Sequence, residues 1–319
     1  MMKGLLESLA GLRILVVGDL MLDQYTWGDA SRISPEAPVP VVDVSKETQV
    51  AGGAANVALN LRSLGANAEV CGWIGRDTAG DTLRGLLEAK GIGLNEAFHS
   101  DDLTTIVKTR VMVRNQQLCR LDREDSPSRY AFGPDEIKRV VDCATGVDAV
   151  ILSDYGKGSL STELISALNN SGVLLAMDPK PRRPVSHRGL DLLTPNRNEA
   201  LQMAGIKVNR DEAFPAEEVC RRIYESHMPK NLVITLGAHG MLVCESGEVS
   251  LRIPTMAREV FDVSGAGDTV ITVLTLARAA GIEIERAARL ANLAAGIVVG
   301  KVGTATVSPE ELVTLGEVL

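Results

Sequence analysis

The sequence predicts an α/β fold in which helices cover both faces of a mostly parallel sheet. Short apolar runs that read as buried strands alternate along the chain with helical segments. The chain has 319 residues, 45% hydrophobic and 23% charged, which is typical of a globular protein with a sizeable core. The length alone allows one large α/β domain or two smaller ones, but no linker, internal repeat or low-complexity tract stands out, so we treat residues 1–319 as a single domain.

The predicted elements follow one another in a regular order. The strand "RILVVGD" precedes a helix in "NVALNLRSLG" that ends at Gly65, and "AEVCGWIG" precedes a helix in "TAGDTLRGLLEAKG" that ends at Gly91. Later strands are predicted at "DAVILSD", "VLLAMDP", "DLLTPN", "NLVITLG" and "MLVCES", and two helices are expected to close the chain. Ligands of such sheets bind beyond the carboxyl ends of the strands, so we expect the site there.

Two stretches break this alternation and predict a small β-sheet lid formed by about residues 24–50 and 103–125. Pro40, inside the valine-rich "APVPVVDVSKETQ", suits an edge strand. The stretch "TTIVKTRVMVRNQQ" alternates between two faces, with Lys108, Arg110, Met112 and Arg114 on one and Val107, Thr109, Val111 and Val113 on the other. An exposed hairpin with solvated basic residues is the alternative, above all for Arg114.

Charge and cysteine content limit the possible functions. A formal net charge of −8 argues against a nucleic-acid partner, because such proteins usually carry a basic face. The five cysteines include no C-x-x-C pair, so we expect reduced core thiols in a cytoplasmic protein, and no disulfide framework or zinc site. No apolar run has the length of a membrane span, and the N-terminus fits a secretory signal poorly, so we expect no membrane partner.

The stretch "FDVSGAGDTVITVLTLARAAG" carries the strongest chemical signal. The backbone N–H groups of Gly265, Ala266 and Gly267 converge where an apolar helix begins, an arrangement that binds anions and above all phosphate. Asp268 stands beside this anion site, where a carboxylate can take the proton of an alcohol that attacks a phosphoryl group. The alternative is an ordinary helix start that Asp268 caps.

Two stretches in the first quarter of the chain offer groups for binding a sugar. In "AGGAANVALNL", Gly52 and Gly53 would let a sugar approach the backbone, and the Asn56 amide could bind its hydroxyl groups. Asp23, in "GDLMLD" after the first strand, could accept hydrogen bonds from the same hydroxyl groups. A tight turn packed under the sheet and a surface aspartate are the respective alternatives.

Two later stretches offer groups for binding a nucleotide. In "LLTPNRNEA", Asn196 and Glu199 share one face of a strand-to-helix junction, and their side chains suit the hydration shell of a magnesium ion. On this stretch alone, helix capping is the stronger interpretation. In "VITLGAHG", Gly237 and Gly240 could form the floor of a nucleotide site, or only a turn.

The signatures of several other enzyme classes are missing from the sequence. It contains no G-x-x-x-x-G-K-[ST] phosphate loop, no G-x-G-x-x-G after the first strand, no G-x-S-x-G and no H-E-x-x-H. The sequence therefore lacks the glycine motif that marks a nicotinamide dehydrogenase. A non-catalytic sugar or nucleotide sensor is disfavoured because a protein that only binds has no need of a base at Asp268.

Taken in order, these stretches resemble the ribokinase-like, or PfkB, family of carbohydrate kinases over nearly the whole chain. "GGAANVA" resembles the N-terminal glycine signature of that family, "DVSGAGDT" its C-terminal D-T-x-G-A-G-D signature, and "NRNE" its N-x-x-E magnesium motif. Val263 departs from the usual threonine. The resemblance implies a three-layer α/β/α fold with a small β-sheet lid, and an ATP-dependent sugar kinase that uses Mg²⁺.

The resemblance also implies a role for individual residues. Asp268 matches the catalytic base, and Gly265, Ala266 and Gly267 match the anion hole. Positions matching sugar contacts are Asp23, Gly52, Gly53 and Asn56. Positions matching the nucleotide and magnesium site are Asn196, Glu199, Thr235, Gly237, Gly240 and Asn292. Asp262 and the loop "KVGTAT" resemble the site of a monovalent cation such as K⁺ in some relatives.

A narrower resemblance concerns the acceptor sugar. "SRISPEAPVPVV", "GDLMLD" and "SDYGKG" resemble the bacterial heptose 7-phosphate kinases of lipopolysaccharide core synthesis. This resemblance implies phosphorylation of the anomeric (C1) hydroxyl of D-glycero-D-manno-heptose 7-phosphate to heptose 1,7-bisphosphate. With the chain ending at Leu319, we expect a stand-alone kinase without the nucleotidyltransferase domain that often follows. Kinases of fructose phosphate, ribose or adenosine remain alternatives.

A sugar that already carries a phosphate needs fixed positive charge away from the anion hole. We expect Arg110 in the lid and Lys157 in "SDYGKG" to hold the 7-phosphate, with Lys180 as a reserve candidate. Arg32 and Lys108 could equally belong to a solvated basic face. The valine-rich edge of the lid also predicts a homodimer that pairs through it, because an exposed strand edge invites pairing.

Overall fold

The computed structural model describes residues 2–114, 116–181, 185–186, 188–209, 212–257, 260–301 and 303–316. The strands, in chain order, are β1 (Arg13–Gly18), β2 (Leu20–Ile33), β3 (Pro40–Gly53), β4 (Asn67–Cys71), β5 (Ile74–Gly75), β6 (Gly93–Leu94), β7 (His99–Ser100), β8 (Ile106–Val113), β9 (Gln116–Arg123), β10 (Ala149–Ser153), β11 (Leu174–Asp178), β12 (Leu192–Leu193), β13 (Asn231–Thr235), β14 (Met241–Glu245) and β15 (Glu248–Ile253). The helices are α1 (Met2–Leu9), α2 (Ala54–Ser63), α3 (Thr78–Glu88), α4 (Pro134–Cys143), α5 (Thr162–Asn169), α6 (Arg197–Met203), α7 (Ala216–His227), α8 (Ala266–Ala279), α9 (Ile284–Val298) and α10 (Pro309–Gly316).

A large, mostly parallel sheet forms the centre of the molecule. Within the described residues it has nine strands in the order β15-β14-β13-β12-β11-β10-β1-β4-β6, and β14 is the strand that runs antiparallel to both of its neighbours. Alternate residues of β1 pack to opposite sides, with Ile14 and Val16 in one apolar cluster and Leu15 and Val17 in the other. A strand buried on both faces reads as a continuous apolar run, which is the pattern of "RILVVGD".

Helices cover both faces of this sheet and complete three layers. Helices α1, α2, α3, α8, α9 and α10 contribute apolar side chains to the cluster on one face. Helices α4, α5, α6 and α7 contribute to the cluster on the other face. The α/β/α fold predicted from the sequence is therefore confirmed. The prediction of two closing helices is wrong by one, because α10 follows α8 and α9.

A smaller sheet lies beside the large one, where the sequence predicts the lid. Its order is β3-β2-β8-β9, with β2 parallel to β8 and the other neighbours antiparallel. Pro40 opens the edge strand β3, as expected for a residue without an N–H to donate. Asp23 pairs with Lys108 and Tyr25 with Arg110, so these four side chains share one face. The predicted turn "NQQ" begins at Asn115, which lies outside the described residues.

The cysteines depart from the prediction of reduced thiols. Cys220 of α7 and Cys244 of β14 form a disulfide, and both are buried where α7 covers the sheet. The two positions are 24 apart in the sequence, a spacing that carries no disulfide signal, so only the packing of helix on strand reveals the pair. Cys71, Cys119 and Cys143 are free. In the part of the chain that the structure describes, none of the helices has the length and apolar character needed to cross a bilayer.

Candidate active site

Polar side chains gather at the carboxyl ends of adjacent strands in the large sheet. Asp19 follows β1, Asp154 follows β10, Asp178 ends β11 and Asn196 follows β12. These four strands are neighbours in the sheet order, so their ends meet along one edge. The N-terminus of α8 reaches the same edge, because Asp178 and Asp268 line one cavity.

The Gly-Ala-Gly segment at the start of α8 has the geometry of an anion-binding site. Gly265 precedes the helix with φ +81°, a conformation that favours glycine, and a Cβ there would lie only 3.0 Å from Nδ2 of Asn56. Within the described residues, the N–H groups of Gly265 and Gly267 have no hydrogen-bond partner, whereas Ala266 donates to the Val263 carbonyl at 3.3 Å. Two free N–H groups at a helix N-terminus attract an anion.

Asp268, one residue further on, is buried with both carboxylate oxygens engaged. Nδ2 of Asn56 donates to Oδ2 at 2.7 Å, and the Tyr155 hydroxyl donates to Oδ1 at 2.6 Å. Burial raises the pKa of Asp268 to about 6, while these two hydrogen bonds lower it. The group is therefore mostly ionised at neutral pH yet close to its pKa, which is the condition that favours general-base catalysis.

The predicted sugar-binding residues lie around Asp268 and are fitted closely to one another. A Cβ on Gly52 would lie 2.1 Å from Oδ2 of Asp23, so only glycine lets the end of β3 pass over that carboxylate. Gly53 adopts φ +59°, and a Cβ there would meet the Asp19 carbonyl at 2.4 Å. Nη1 of Arg110 donates to Oδ1 of Asp23 at 2.5 Å. The structure thus joins the predicted phosphate contact Arg110 to the predicted sugar contact Asp23.

Four basic side chains, which we call the cation cluster, lie on or beside the same face of the small sheet: Lys108, Arg110, Arg120 and Lys157. The Lys108 ammonium lies 5.4 Å from the centre of the Tyr155 ring, and the Arg110 guanidinium 5.3 Å from the centre of the Tyr25 ring. Lys157 pairs with Glu124 at 2.6 Å. Burial lowers the pKa of Lys108; Asp23 opposes this, and the other three cations of the cluster reinforce it.

Arg32 lies apart from the cation cluster. Its side chain is 67% exposed and pairs with Asp43 at 3.5 Å, so for Arg32 the solvated-face interpretation describes the structure. Arg114 is similar, since it is exposed and pairs with Asp29 at 2.9 Å. Exposed pairs of this kind contribute little to stability.

Asn196 and Glu199 form a reciprocal helix cap at the start of α6. Oδ1 of Asn196 accepts from the N–H groups of Asn198 and Glu199 at 3.0 and 3.1 Å, and Oε2 of Glu199 accepts from the Asn196 N–H at 2.8 Å. This is the capping alternative left open by the sequence. The remaining Glu199 oxygen contacts the Lys180 ammonium. Lys180 therefore faces the strand ends and not the cation cluster.

A polar cavity of about 190 Å³ lies between this cap and Asp268. Burial raises the pKa of Asp178 well above its usual range; Glu199 adds to this and Lys180 opposes it. Carboxylates this close repel one another, and the Lys180 ammonium in the same cavity offsets part of that repulsion. The residues lining the cavity are Tyr155, Asp178, Lys180, Thr194, Asn196, Thr235, Gly265, Gly267, Asp268 and Val270.

A second, more apolar cavity of about 260 Å³ adjoins the polar one. Thr235, Gly267 and Val270 line both cavities, so the two share a wall. All four positions expected to hold the nucleotide beyond the Asn196–Glu199 motif line this second cavity, namely Thr235, Gly237, Gly240 and Asn292. Asn292 shapes the wall, because its Nδ2 donates to the Pro254 carbonyl at 2.7 Å.

Comparison with known proteins matches this arrangement to one family. The model of the pfkB family carbohydrate kinases matches residues 12–311. The chain belongs to this family. The resemblance inferred from the glycine-rich stretches is thereby confirmed, and so is the prediction that the chain is a carbohydrate kinase.

Curated proteins that are similar to this chain include two named "Bifunctional protein HldE". The protein of Desulfatibacillum aliphaticivorans is 46% identical over 308 residues, which cover 94% of this chain and 62% of that protein. The protein of Geobacter sulfurreducens is 44% identical over 322 residues, which cover 98% of this chain and 64% of that protein. The chain thus spans less than two thirds of the length of these relatives.

Among solved structures, similarity extends over the whole fold at low sequence identity. Phosphofructokinase-2 from Escherichia coli, solved in complex with potassium, matches with a TM-score of 0.76 and 19% identity, covering 97% of this chain and 99% of that one. Arabidopsis thaliana ribokinase, complexed with ribose and ATP, matches with a TM-score of 0.74 and 20% identity, covering 96% and 98%. These matches confirm the ribokinase-like fold.

Sequence reasoning did not assign three residues of the pfkB site: Asp19, Tyr155 and Asp178. Each lies at the carboxyl end of a strand, and Asp19 and Tyr155 belong to "GDLMLD" and "SDYGKG". The strand-end rule could have identified them. Asp262, expected near a monovalent cation, accepts from the N–H groups of Ser264 at 2.9 Å and Gly303 at 3.1 Å. Val302 of "KVGTAT" lies outside the described residues.

Proposed function

We propose that this chain transfers the terminal phosphoryl group of ATP to the anomeric hydroxyl of D-glycero-D-manno-heptose 7-phosphate. The product would be heptose 1,7-bisphosphate, a precursor for the lipopolysaccharide core. One observation carries the kinase chemistry: the buried carboxylate of Asp268 lies between the free N–H groups at the start of α8 and the sugar-facing groups Asn56 and Asp23. A base and an anion site side by side are what phosphoryl transfer to an alcohol requires.

The two adjoining cavities suit the two parts of a nucleotide. The apolar cavity, with Thr235, Gly237 and Asn292 in its wall, would take the adenine and ribose. The polar cavity, which begins at Thr235 and reaches Gly267 and Asp268, would take the phosphate groups. ATP in this position would direct its terminal phosphate towards the N-terminus of α8, where helix dipole and N–H groups favour negative charge.

A magnesium ion with ATP fits the residues at the polar cavity. Asp178 and Glu199 offer hard carboxylate oxygens, and Asn196 lines the cavity beside them. With so few protein ligands available there, the ion would be held mainly through water and phosphate oxygens. Bound there, the ion would neutralise phosphate charge.

The chain's own groups would then carry out the proton transfer. The acceptor hydroxyl donates its proton to Asp268 as its oxygen forms a bond to the terminal phosphorus, and the bond from that phosphorus to the bridging oxygen of ADP breaks. Asn56 holds the carboxylate in position from the sugar side. The N–H groups of Gly265 and Gly267 stabilise the negative charge on the transferred group.

The cation cluster supports an acceptor that already carries a phosphate. Burial is the main cause that lowers the pKa of Lys108, and the three other cations of the cluster lower it further, against the opposing effect of Asp23. A phosphate dianion bound among Lys108, Arg110 and Lys157 would relieve the repulsion among these cations. Lys180 contacts Glu199 and lines the polar cavity, so it fits the nucleotide phosphates better than the 7-phosphate. The choice of heptose rests on the resemblance of "SRISPEAPVPVV", "GDLMLD" and "SDYGKG".

Two further expectations belong to this proposal. A monovalent cation such as K⁺ would bind near Asp262, as the potassium complex of the structural neighbour suggests. The enzyme would work in the cytoplasm, where ATP is available, as a homodimer formed through the lid. Residues 1–319 would form one kinase domain, with the small sheet as its lid.

A phosphorylation screen tests the proposed function directly. The purified chain is incubated with MgATP and each of heptose 7-phosphate, fructose 6-phosphate, fructose 1-phosphate, ribose and adenosine, and the products are identified by ³¹P NMR. We expect heptose 7-phosphate to give the highest kcat/KM and a new anomeric phosphate signal. A higher kcat/KM for fructose phosphate or ribose would replace the heptose assignment with that alternative. Absence of transfer to every acceptor would contradict the kinase proposal.

A further inference from the structure

One loop connects the candidate base with the cation cluster. It runs from Asp154 to Ser159, between β10 and α5, and contains both Tyr155 and Lys157. The Tyr155 hydroxyl donates to Asp268, and two residues later the Lys157 ammonium pairs with Glu124. A single short segment thus carries one side chain to the candidate base and another to the cation cluster.

The loop is fixed to the sheet by the buried carboxylate of Asp19, the residue that directly follows β1. Asp19 is 1% exposed, and its oxygens accept from the N–H groups of Tyr155 at 2.9 Å, Lys157 at 2.9 Å and Ser159 at 3.1 Å. Charge-assisted hydrogen bonds to a carboxylate are stronger than neutral ones, so three of them define the path of the loop. Gly158 packs against Pro127, where a Cβ would lie 1.9 Å from the carbonyl oxygen.

Tyr155 influences both the ionisation and the orientation of the Asp268 carboxylate. Burial and the negative charge of Asp268 raise the pKa of the Tyr155 phenol, so it keeps its proton and acts as a donor. Its hydrogen bond stabilises the ionised form of Asp268 and fixes the orientation of Oδ1. The charged groups facing Asp268 from other elements include Asp23 and Asp178, which disfavour ionisation, and Lys180, which favours it.

We propose, on the basis of the kinase function above, that Asp19 is a positioning residue that holds Tyr155 against the base and Lys157 towards the distal phosphate of the acceptor. Alignment of the base and recognition of that phosphate then depend on the same three backbone contacts. A loop displaced from Asp19 loses both properties together, whereas loss of either side chain removes only one.

Substitutions in the loop separate the two properties. Tyr155→Phe should lower kcat by roughly tenfold or more and leave the KM for the sugar phosphate nearly unchanged. The Asp268 carboxylate would lose the hydrogen bond that orients Oδ1, and a misaligned base loses part of the roughly 10²- to 10⁴-fold that general-base catalysis contributes. Lys157→Met should raise that KM by roughly 10- to 100-fold with a smaller effect on kcat. Asp19→Asn, which keeps one acceptor but loses the charge, should change both parameters in the same directions.

Matched control variants show whether the loss of a phenol or of a carboxylate charge elsewhere in the chain changes the kinetics. Tyr224→Phe removes a phenol on α7, which is part of neither the loop nor the candidate site, and Asp148→Asn alters another carboxylate that accepts a backbone N–H, from Arg13 at 2.7 Å. Both should keep wild-type kcat and KM. A folded Asp19→Asn variant with unchanged kcat and KM would overturn the positioning role, and folding is checked by circular dichroism and thermal unfolding.

A titration of Asp268 in the absence of substrate tests the role of Tyr155 separately. Its result depends neither on the proposed kinase function nor on whether the Asp19→Asn variant folds. ¹³C NMR of protein labelled at the aspartate carboxyl carbons locates the Asp268 signal as the one missing in Asp268→Asn. In Tyr155→Phe we expect the pKa of Asp268 to rise by about one unit or more, because a hydrogen bond to the ionised form has been removed. An unchanged pKa would overturn the role of Tyr155. The same rise in a chain inactive on every sugar phosphate would support the Tyr155–Asp268 pair while the proposed function failed.

Discussion

Asn56 of α2 and Asp268 of α8, 212 positions apart in the sequence, are joined by a hydrogen bond of 2.7 Å from Nδ2 to Oδ2. The bond links the two glycine-rich stretches, since Gly53 directly precedes α2 and Gly265 directly precedes α8. Asn56 is fully buried, and its Oδ1 has no partner within the described residues. An unpaired buried carbonyl oxygen is costly, so a sugar hydroxyl that donated to it would gain binding energy.

Asp268→Asn should reduce turnover by roughly 10²- to 10⁴-fold and leave binding of nucleotide and sugar nearly intact. The fold should survive, because Asn56 can rotate its amide and offer its unpaired Oδ1 to the new Nδ2. Turnover is measured by coupled ADP release, and binding by calorimetry. A kcat within a factor of a few of wild type would end the assignment of Asp268 as the base.

The pH dependence of the reaction should reflect the raised pKa of Asp268. The base must be ionised, so kcat/KM should be constant above the pKa of about 6 and fall about tenfold per pH unit below it. A sugar phosphate has its own ionisation at about pH 6, which ³¹P NMR of the free substrate locates separately. A corrected profile that stays flat to about pH 5, with the enzyme still folded, would contradict a base with this pKa.

Glu199→Gln should raise the magnesium concentration needed for half-maximal activity more than it raises the KM for the sugar. Glutamine can keep the helix cap with Asn196, so the variant removes charge and leaves the fold. Glu136→Gln is the matched control, because Glu136 caps α4 in the same way, with Oε2 accepting from the Gly133 N–H at 3.0 Å. If the two variants give identical magnesium titrations, the role of Glu199 is limited to capping.

Arg110→Ala should weaken use of heptose 7-phosphate by roughly 10- to 100-fold and hardly affect residual activity on the unphosphorylated heptose. The structure adds a second effect to be separated from the first, since Arg110 also holds Asp23 at 2.5 Å. Arg114→Ala, which removes an exposed arginine at the end of the same strand, serves as the control. Equal losses on both sugars would show that Arg110 supports Asp23 and the lid, and not the 7-phosphate.

The lid should mediate dimerisation through its exposed apolar side chains, which in the described residues are Ile33, Val39, Val44, Leu118 and Leu121. Val44→Lys should convert the dimer to a monomer, because a charge would be buried in the interface. Met228→Lys changes an exposed methionine at the end of the distant helix α7 and should leave the dimer intact. Sedimentation that finds the unaltered chain monomeric at micromolar concentration would contradict this prediction.

The prediction of the fold from sequence succeeded where the signal is local. A buried strand such as "RILVVGD" and an amphipathic helix each leave a periodic pattern in a few consecutive residues, because the backbone determines which side chains share a face. The same holds for Gly265 to Asp268, whose chemistry depends on a helix start within four consecutive positions. The helix cap formed by Asn196 and Glu199 was also predictable, because both residues lie within four positions and capping was the stronger interpretation of that stretch alone.

Tertiary structure alone decided which distant groups meet. Strand periodicity does not reveal strand order. Because β1 lies beside β10 in the sheet, Asp19 reaches the N–H groups of the loop after β10, although Asp19 and Tyr155 are 136 positions apart in the sequence. The pairing of β2 with β8 likewise brings Arg110 to Asp23, and packing of α7 on the sheet brings Cys220 to Cys244. Hydrogen bonds and ion pairs act over a few ångströms. The sequence therefore identifies candidate residues, but only the folded structure determines which of them contact one another.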